Sequence, residues 1–217
     1  FNMMIMVIYA LITIANFGMG TIPDTKVIFF HAPKKTFNPM MIVAIVILVP
    51  GTQFAANFIA NLTGYIRPDW LQQYNKIFET SGITDTTFVT VLYSVILAPI
   101  CEELIFRGVT MRCARKALPF ALANLMQAAL FGLFHLNWIQ GIYAFALGIV
   151  LGYVCERGGS IYYSMGASSA FQPLGTLSGF FPDPGNSVVV FVVVIVVTIV
   201  SLVVGFVLFN KGEESSP

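Results

Sequence analysis

Pro99-Ile-Cys-Glu-Glu-Leu-Ile-Phe-Arg107-Gly108 closes an apolar run, Phe88 to Ile100, that carries no charge of its own. An ionised group in hydrocarbon costs several kcal/mol, so two carboxylates and a guanidinium at the end of such a run mark function or an internal ion pair. Glu103 and Arg107 are four apart, which stacks them on one face of a helix with the acid on the N-terminal side. Glu102 points about 100° away from Glu103 and has no partner within its own helix. A paired acid beside an unpaired one reads as a support residue beside a working residue. The competing reading is that both glutamates snorkel to the headgroups.

The surrounding composition makes the setting a membrane. Of 217 residues, 57% are hydrophobic and 10% charged, with mean hydropathy +0.84; soluble domains carry about 25% charged residues. The net charge of +1 gives no basis for a nucleic-acid partner. Cys101, Cys113 and Cys155 show neither a disulfide framework nor metal-ligand spacing. An apolar run begins at Phe1, from which we expect the sequence to start inside or just before a first helix.

Seven apolar stretches, near residues 1–19, 39–63, 85–106, 118–136, 138–155, 160–180 and 186–209, approach the length needed to cross a bilayer core of about 30 Å. The expected fold is all-α: one integral membrane domain over residues 1–217, a polytopic bundle of about seven transmembrane helices. A surface helix is added between Asp69 and Glu79, where Trp70, Leu71, Tyr74, Ile77 and Phe78 share one face. Lys26, Lys34, Lys35, the four basic residues from Arg107 to Lys116, Arg157 and Lys211 alternate with the crossings against Arg67 and Lys76. The positive-inside rule then makes the larger group and the C-terminal tail cytoplasmic in the cell membrane. The first helix would start outside, which suggests a segment before residue 1. Ala144, Gly148 and Gly152 form a row of small residues that lets helices approach, as do Gly175 and Gly179; no chemistry is assigned to them. The last helix, Ser187 to Phe209, reads as lipid-facing.

A second polar feature is His135, in Phe131-Gly-Leu-Phe-His135. If the Glu102 helix continues to a turn at Ala117–Pro119, Glu102 lies ~21 Å from that turn and His135 ~24 Å back up the next helix. Two antiparallel neighbours would therefore hold them at similar depth. Ser168 and Gln172, four apart on the segment from Ser160, supply a third wall, either as interhelical hydrogen-bonding groups or as functional donors. Glu102 and His135 together suit the removal of a proton from water, and nearby donors suit an oxyanion. That is peptide hydrolysis by general-base catalysis, with no cofactor. One histidine and two glutamates fall short of a catalytic zinc set, so no metal is expected. Cys101 as nucleophile is a further alternative, but nothing beside two carboxylates activates it.

At these residues the chain resembles the CAAX prenyl protease and bacteriocin-processing family, also called the Abi family, of intramembrane glutamic endopeptidases. Its EExxxR motif matches Glu102-Glu103-Leu-Ile-Phe-Arg107, and its FxxxH motif matches Phe131 to His135. Its third motif, HxxxN, sits on a helix opening with Ser-Ile, as Ser160-Ile161 does, and falls on Ser168 and Gln172, where this sequence departs from the pattern. The resemblance covers about residues 85–180 as the catalytic core. It implies a helix bundle with a cytosol-facing cavity, water activation by Glu102 and His135, support by Glu103 and Arg107, and an oxyanion hole at the third-motif positions. Peptides or lipidated protein tails at the bilayer would be the substrates. The alternative is a membrane interaction protein on the same scaffold, such as a bacteriocin self-immunity factor or a sensor-kinase regulator with a membrane protein partner. A transporter finds no inverted repeat to support it.

Overall fold

Proline at position 99 determines the shape of the helix that carries the acidic pair. In the computed structural model, which describes residues 38–80, 88–176 and 188–215, helix continues unbroken from 88 to 115 but changes its winding. It runs as Phe88–Leu92 in α form, Tyr93–Leu97 as π-helix, Ala98–Glu103 in α form, Leu104–Met111 as π-helix and Arg112–Arg115 in α form. Pro99 has no N–H and its ring pushes against the carbonyl four residues back. The wider π turn before it relieves that clash, with the Ala98 N–H bonded to Tyr93 O, five back. In the second π segment the Thr110 hydroxyl donates to Ile105 O, also five back, at 2.9 Å. A regular α-helix was expected here. The widened turns instead flank Glu102 and Glu103 on both sides, and such bulges recur at functional sites.

Among the described residues there are seven helices and no strand. They are α1 (Pro39–Ile66), α2 (Pro68–Thr80), the composite α3 (88–115), α4 (Phe120–Phe134), α5 (Trp138–Gly158), α6 (Ile161–Thr176) and α7 (Val188–Glu214). The expected first crossing at 1–19, the loop with Lys26, Lys34 and Lys35, and Gly179 lie outside the described residues. Of the described helices, α1, α5 and α7 are long and apolar enough to cross a membrane. Helix α4 is apolar but its 15 residues reach only ~22 Å.

Local sequence sets the ends. Asn38 caps α1 by accepting from Met40 N, with Pro39 in the first turn, and Asn137 caps α5 by accepting from Gln140 N. Gly159, at φ 63°, closes α5 in the left-handed conformation that costs glycine nothing.

Helices α1 and α7 are antiparallel neighbours: Asn38 Nδ2 donates to Gly212 O at 2.8 Å, the Ser201 hydroxyl donates to Ile47 O, and Phe58 meets Phe191. Helices α4 and α5 are also antiparallel, joined by Gln127 Nε2 to Gly148 O at 2.8 Å and Asn124 Nδ2 to Ile149 O at 3.0 Å. The small-residue row on α5 faces this contact, since a Cβ on Gly148 would stand 3.0 Å from Ala128 Cα. At one end of the bundle Arg115 pairs with Glu156 and Arg157 with Glu213. Arg67 lies at the other end, where the guanidinium it offers in a hydrogen bond holds the Asp69 carboxyl below its usual range. One basic residue leaves the expected cytoplasmic group: Arg107 is fully buried inside α3 and belongs to no loop.

A Cβ on Gly152 would collide with the side chains of Asn124 and Gln127, whereas one on Gly166 meets nothing within 4 Å. Gly152→Ala is therefore expected to lower the detergent melting temperature, by an overpacking cost of about 1–3 kcal/mol, and Gly166→Ala to leave it unchanged. Equal melting curves for the two proteins would contradict the α4–α5 packing.

Candidate active site

The acidic pair divides as its spacing suggested. Glu103 Oε1 accepts from Arg107 Nη1 at 2.8 Å, and both side chains are wholly buried. Arg107 also donates through Nη2 to Gly148 O at 3.1 Å, and its Cζ lies 4.7 Å from the centre of the Phe131 ring. One guanidinium thus ties α3 to α5 by a hydrogen bond and to α4 by a cation–π contact, which gains strength away from water. Gly148 O accepts a second bond from Gln127, whose Nε2 also reaches Asn124 Oδ1 at 2.7 Å. This buried polar network was not visible in sequence. Asn124 and Gln127 are three apart on the face of α4 that meets the small-residue row, and that spacing was the available signal.

Glu102 is buried as well, 6% exposed, yet makes no hydrogen bond among the described residues. Its neighbours within electrostatic reach include Glu103, Arg107 and the phenols of Tyr93 and Tyr143. The snorkelling alternative fails for both glutamates, because neither reaches a solvent-facing surface.

His135 forms the C-cap of α4 and is half-buried. Its Nδ1 lies 2.8 Å from Phe131 O. A carbonyl only accepts, so Nδ1 carries the proton and the neutral ring presents Nε2 as a bare acceptor. The Phe131 and His135 rings meet edge to face at 5.0 Å. Phe131 therefore fixes the histidine through both its carbonyl and its ring, and Arg107 covers that same ring. The turn that follows holds Leu136 at φ 54°, a left-handed conformation unfavourable for leucine. Glu102 and His135 are not hydrogen-bonded to each other; they belong to one assembly through Glu103, Arg107 and Phe131.

Ser168 is buried and Gln172 half-buried on α6, and neither makes a hydrogen bond among the described residues. The interhelical-bonding role allowed for them is absent there. Ser164, one turn earlier, is the α6 serine beside the Glu103 carboxylate, and its hydroxyl donates to Ile161 O at 3.0 Å. Cys101 is half-buried. An apolar groove of about 630 Å³ opens between α4 and α5, lined by Gly132, Leu133, Leu136, Trp138 and Phe145 among others; neither Glu102 nor His135 lines it.

Residues 84–172 match the family model of the Rce1-like, type II CAAX prenyl endopeptidases. The matched segment contains Glu102, Glu103, Arg107, His135, Ser168 and Gln172. No curated protein and no solved structure matches the chain.

Replacing Glu103 by glutamine leaves Arg107 charged and unpaired in a dry site, which costs about 3–5 kcal/mol. Glu103→Gln is expected to lose folded yield in detergent, measured by size-exclusion chromatography. A monodisperse Glu103→Gln protein with wild-type melting would remove the support role from Glu103.

Proposed function

We propose, for a chain whose residues 84–172 match the family model of the Rce1-like type II CAAX prenyl endopeptidases, that the protein is an intramembrane endopeptidase. It hydrolyses peptide bonds of membrane-associated or lipidated peptides. The observation that carries this reading is the contrast within the pair: Glu103 is clasped by Arg107, while Glu102 is buried with its carboxylate uncommitted.

The chemistry runs through water. Glu102 takes a proton from a water whose second hydrogen is accepted by His135 Nε2. The water oxygen attacks the scissile carbonyl carbon and the carbonyl electron pair moves to oxygen, giving an oxyanion. Collapse of that intermediate breaks the C–N bond, and the proton held by Glu102 passes to the leaving amine. Glu103, Arg107 and Phe131 keep the acid and the histidine in place. Ser168 and Gln172 line the oxyanion side with a hydroxyl and an amide donor. The supporting framework is a single membrane domain of about seven crossings, with the end carrying Arg115, Arg157 and Lys211 in the cytoplasm by the positive-inside rule.

A second reading, a membrane interaction protein with little hydrolysis, is favoured by the third motif. Serine is shorter than histidine and glutamine longer than asparagine, so donor geometry changes at both positions.

Two experiments separate these readings. Glu102→Gln keeps the shape of the side chain but removes the base, and is expected to abolish cleavage of a farnesylated CAAX peptide in lipid nanodiscs while the protein stays folded. Wild-type turnover by that variant would end the protease reading. Misplacing one oxyanion donor costs about 10²–10³ in rate, so Ser168→His combined with Gln172→Asn is expected to raise turnover measurably. No cleavage by wild type or by the double variant, with peptide binding intact, would instead favour the interaction protein.

A further inference from the structure

One backbone carbonyl receives side chains from both helices that carry the proposed water-activating pair. On α5, Gly148 O accepts from Arg107 Nη2 of α3 at 3.1 Å and from Gln127 Nε2 of α4 at 2.8 Å. Glu102 lies on α3, and His135 closes α4. The carbonyl is open to both donors because α5 has a glycine one turn later. A Cβ on Gly152 would stand 2.7 Å from Gln127 Nε2.

The orientation of the Gln127 amide follows from its neighbours. Asn124 Nδ2 donates to Ile149 O at 3.0 Å. A backbone carbonyl only accepts, so the other terminal atom of Asn124 is its oxygen. That oxygen accepts from Gln127 Nε2 at 2.7 Å. Gln127 therefore uses both hydrogens of Nε2, one on Asn124 and one on Gly148, and its amide cannot turn over without losing both bonds. Its side chain is wholly buried and out of reach of a substrate.

Gln127, Phe131 and His135 follow one another at four-residue intervals, in one row along α4. Two contacts join this row to the Arg107 guanidinium. The Phe131 ring lies under its face, with Cζ 4.7 Å from the ring centre, and Gln127 shares its carbonyl acceptor. A ring face tolerates sliding, whereas a hydrogen bond weakens steeply as distance and angle depart from their optimum. The Gln127 bond is thus the contact that fixes the height of α4 against α3. His135 stands ~12 Å further along the same helix and inherits that height.

Resting on the endopeptidase reading, we infer that Gln127 is a positioning residue for the reaction: by sharing the Gly148 carbonyl with Arg107, it sets His135 at the height where the histidine and Glu102 engage one water. It touches neither the water nor the substrate. Position 127 lies outside all three motifs.

The test uses the full chain in lipid nanodiscs with a farnesylated, internally quenched CAAX peptide, below the melting transition of every variant compared. Gln127→Met keeps the length of the side chain and removes both donors. It is expected to lower kcat about 10- to 100-fold with KM unchanged, because a misplacement of about 1 Å costs about 10² in rate. Gly51→Ala is the structural control, since its Cβ would stand 2.9 Å from Ser201 Cβ on α7. It is expected to lower the melting temperature and leave kcat unchanged. Wild-type kcat in a folded Gln127→Met protein overturns the proposal, as does an equal loss of kcat in Gly51→Ala. If Gln127→Met does not fold, Asn124→Ala decides, because it removes only the acceptor that orients the Gln127 amide. Unchanged kcat then overturns the proposal, and a loss confined to kcat supports it. An inert wild type, or turnover that survives Glu102→Gln, overturns the endopeptidase reading itself. Cleavage that needs Glu102 but is indifferent to Gln127→Met overturns only the role of Gln127.

Discussion

A fully buried guanidinium is the constraint on which the rest of this structure depends. Arg107 cannot be deprotonated and its side chain is wholly shielded from solvent, so its charge must be met by protein groups. Those groups come from three helices: the Glu103 carboxylate on α3, the Gly148 carbonyl on α5 and the face of Phe131 on α4. Each holds its helix at a distance set by hydrogen-bond or ring geometry. Glycine at 148 and 152 permits the approach, since side chains there would meet Ala128 or Asn124. The ion pair contributes little net stability by itself, but separating its partners is costly. It acts as a constraint on arrangement more than as a source of stability.

That constraint explains how one acid is kept uncommitted inside an apolar bundle. Arg107 occupies Glu103 and leaves Glu102, one residue earlier, without a hydrogen bond among the described residues. The π turns on either side of the pair rotate the chain away from regular α-helical spacing there. On the neighbouring helix, Phe131 fixes the His135 tautomer by accepting from Nδ1, and Arg107 lies over the Phe131 ring. The acid and the histidine are therefore referred to a common point without touching. In the proposed peptidase this arrangement would leave both groups available to water and substrate.

The ends of the bundle follow different physics. One end is laced by ion pairs between exposed side chains, Arg115 with Glu156 and Arg157 with Glu213, each worth little alone. The other carries the stacked rings of Trp70 and Trp138 and the cation–π contact of Arg67 with Trp70. Aromatic rings with a polar edge suit the boundary between hydrocarbon and headgroups.

The sequence by itself determined the all-helical class, the membrane setting and the pairing of Glu103, not Glu102, with Arg107. These follow from local quantities, namely composition, the four-residue spacing to Arg107 and the length of apolar runs, and a helix expresses such quantities without help from distant residues. The close-packing glycines of α5 were legible for the same reason. Spacing alone did not reveal the π segments, because a proline inside a helix can kink it, break it or widen it, and packing around Pro99 decides which. Nor could it show that Arg107 is buried in the bundle and not part of a basic loop. The Gly148 carbonyl and Gln127 were invisible because each acquires its role from a partner on another helix. Only the tertiary structure sets the offset of α3 against α5, because that offset is fixed by contacts between residues far apart in the chain, Arg107 with Gly148 and Arg115 with Glu156.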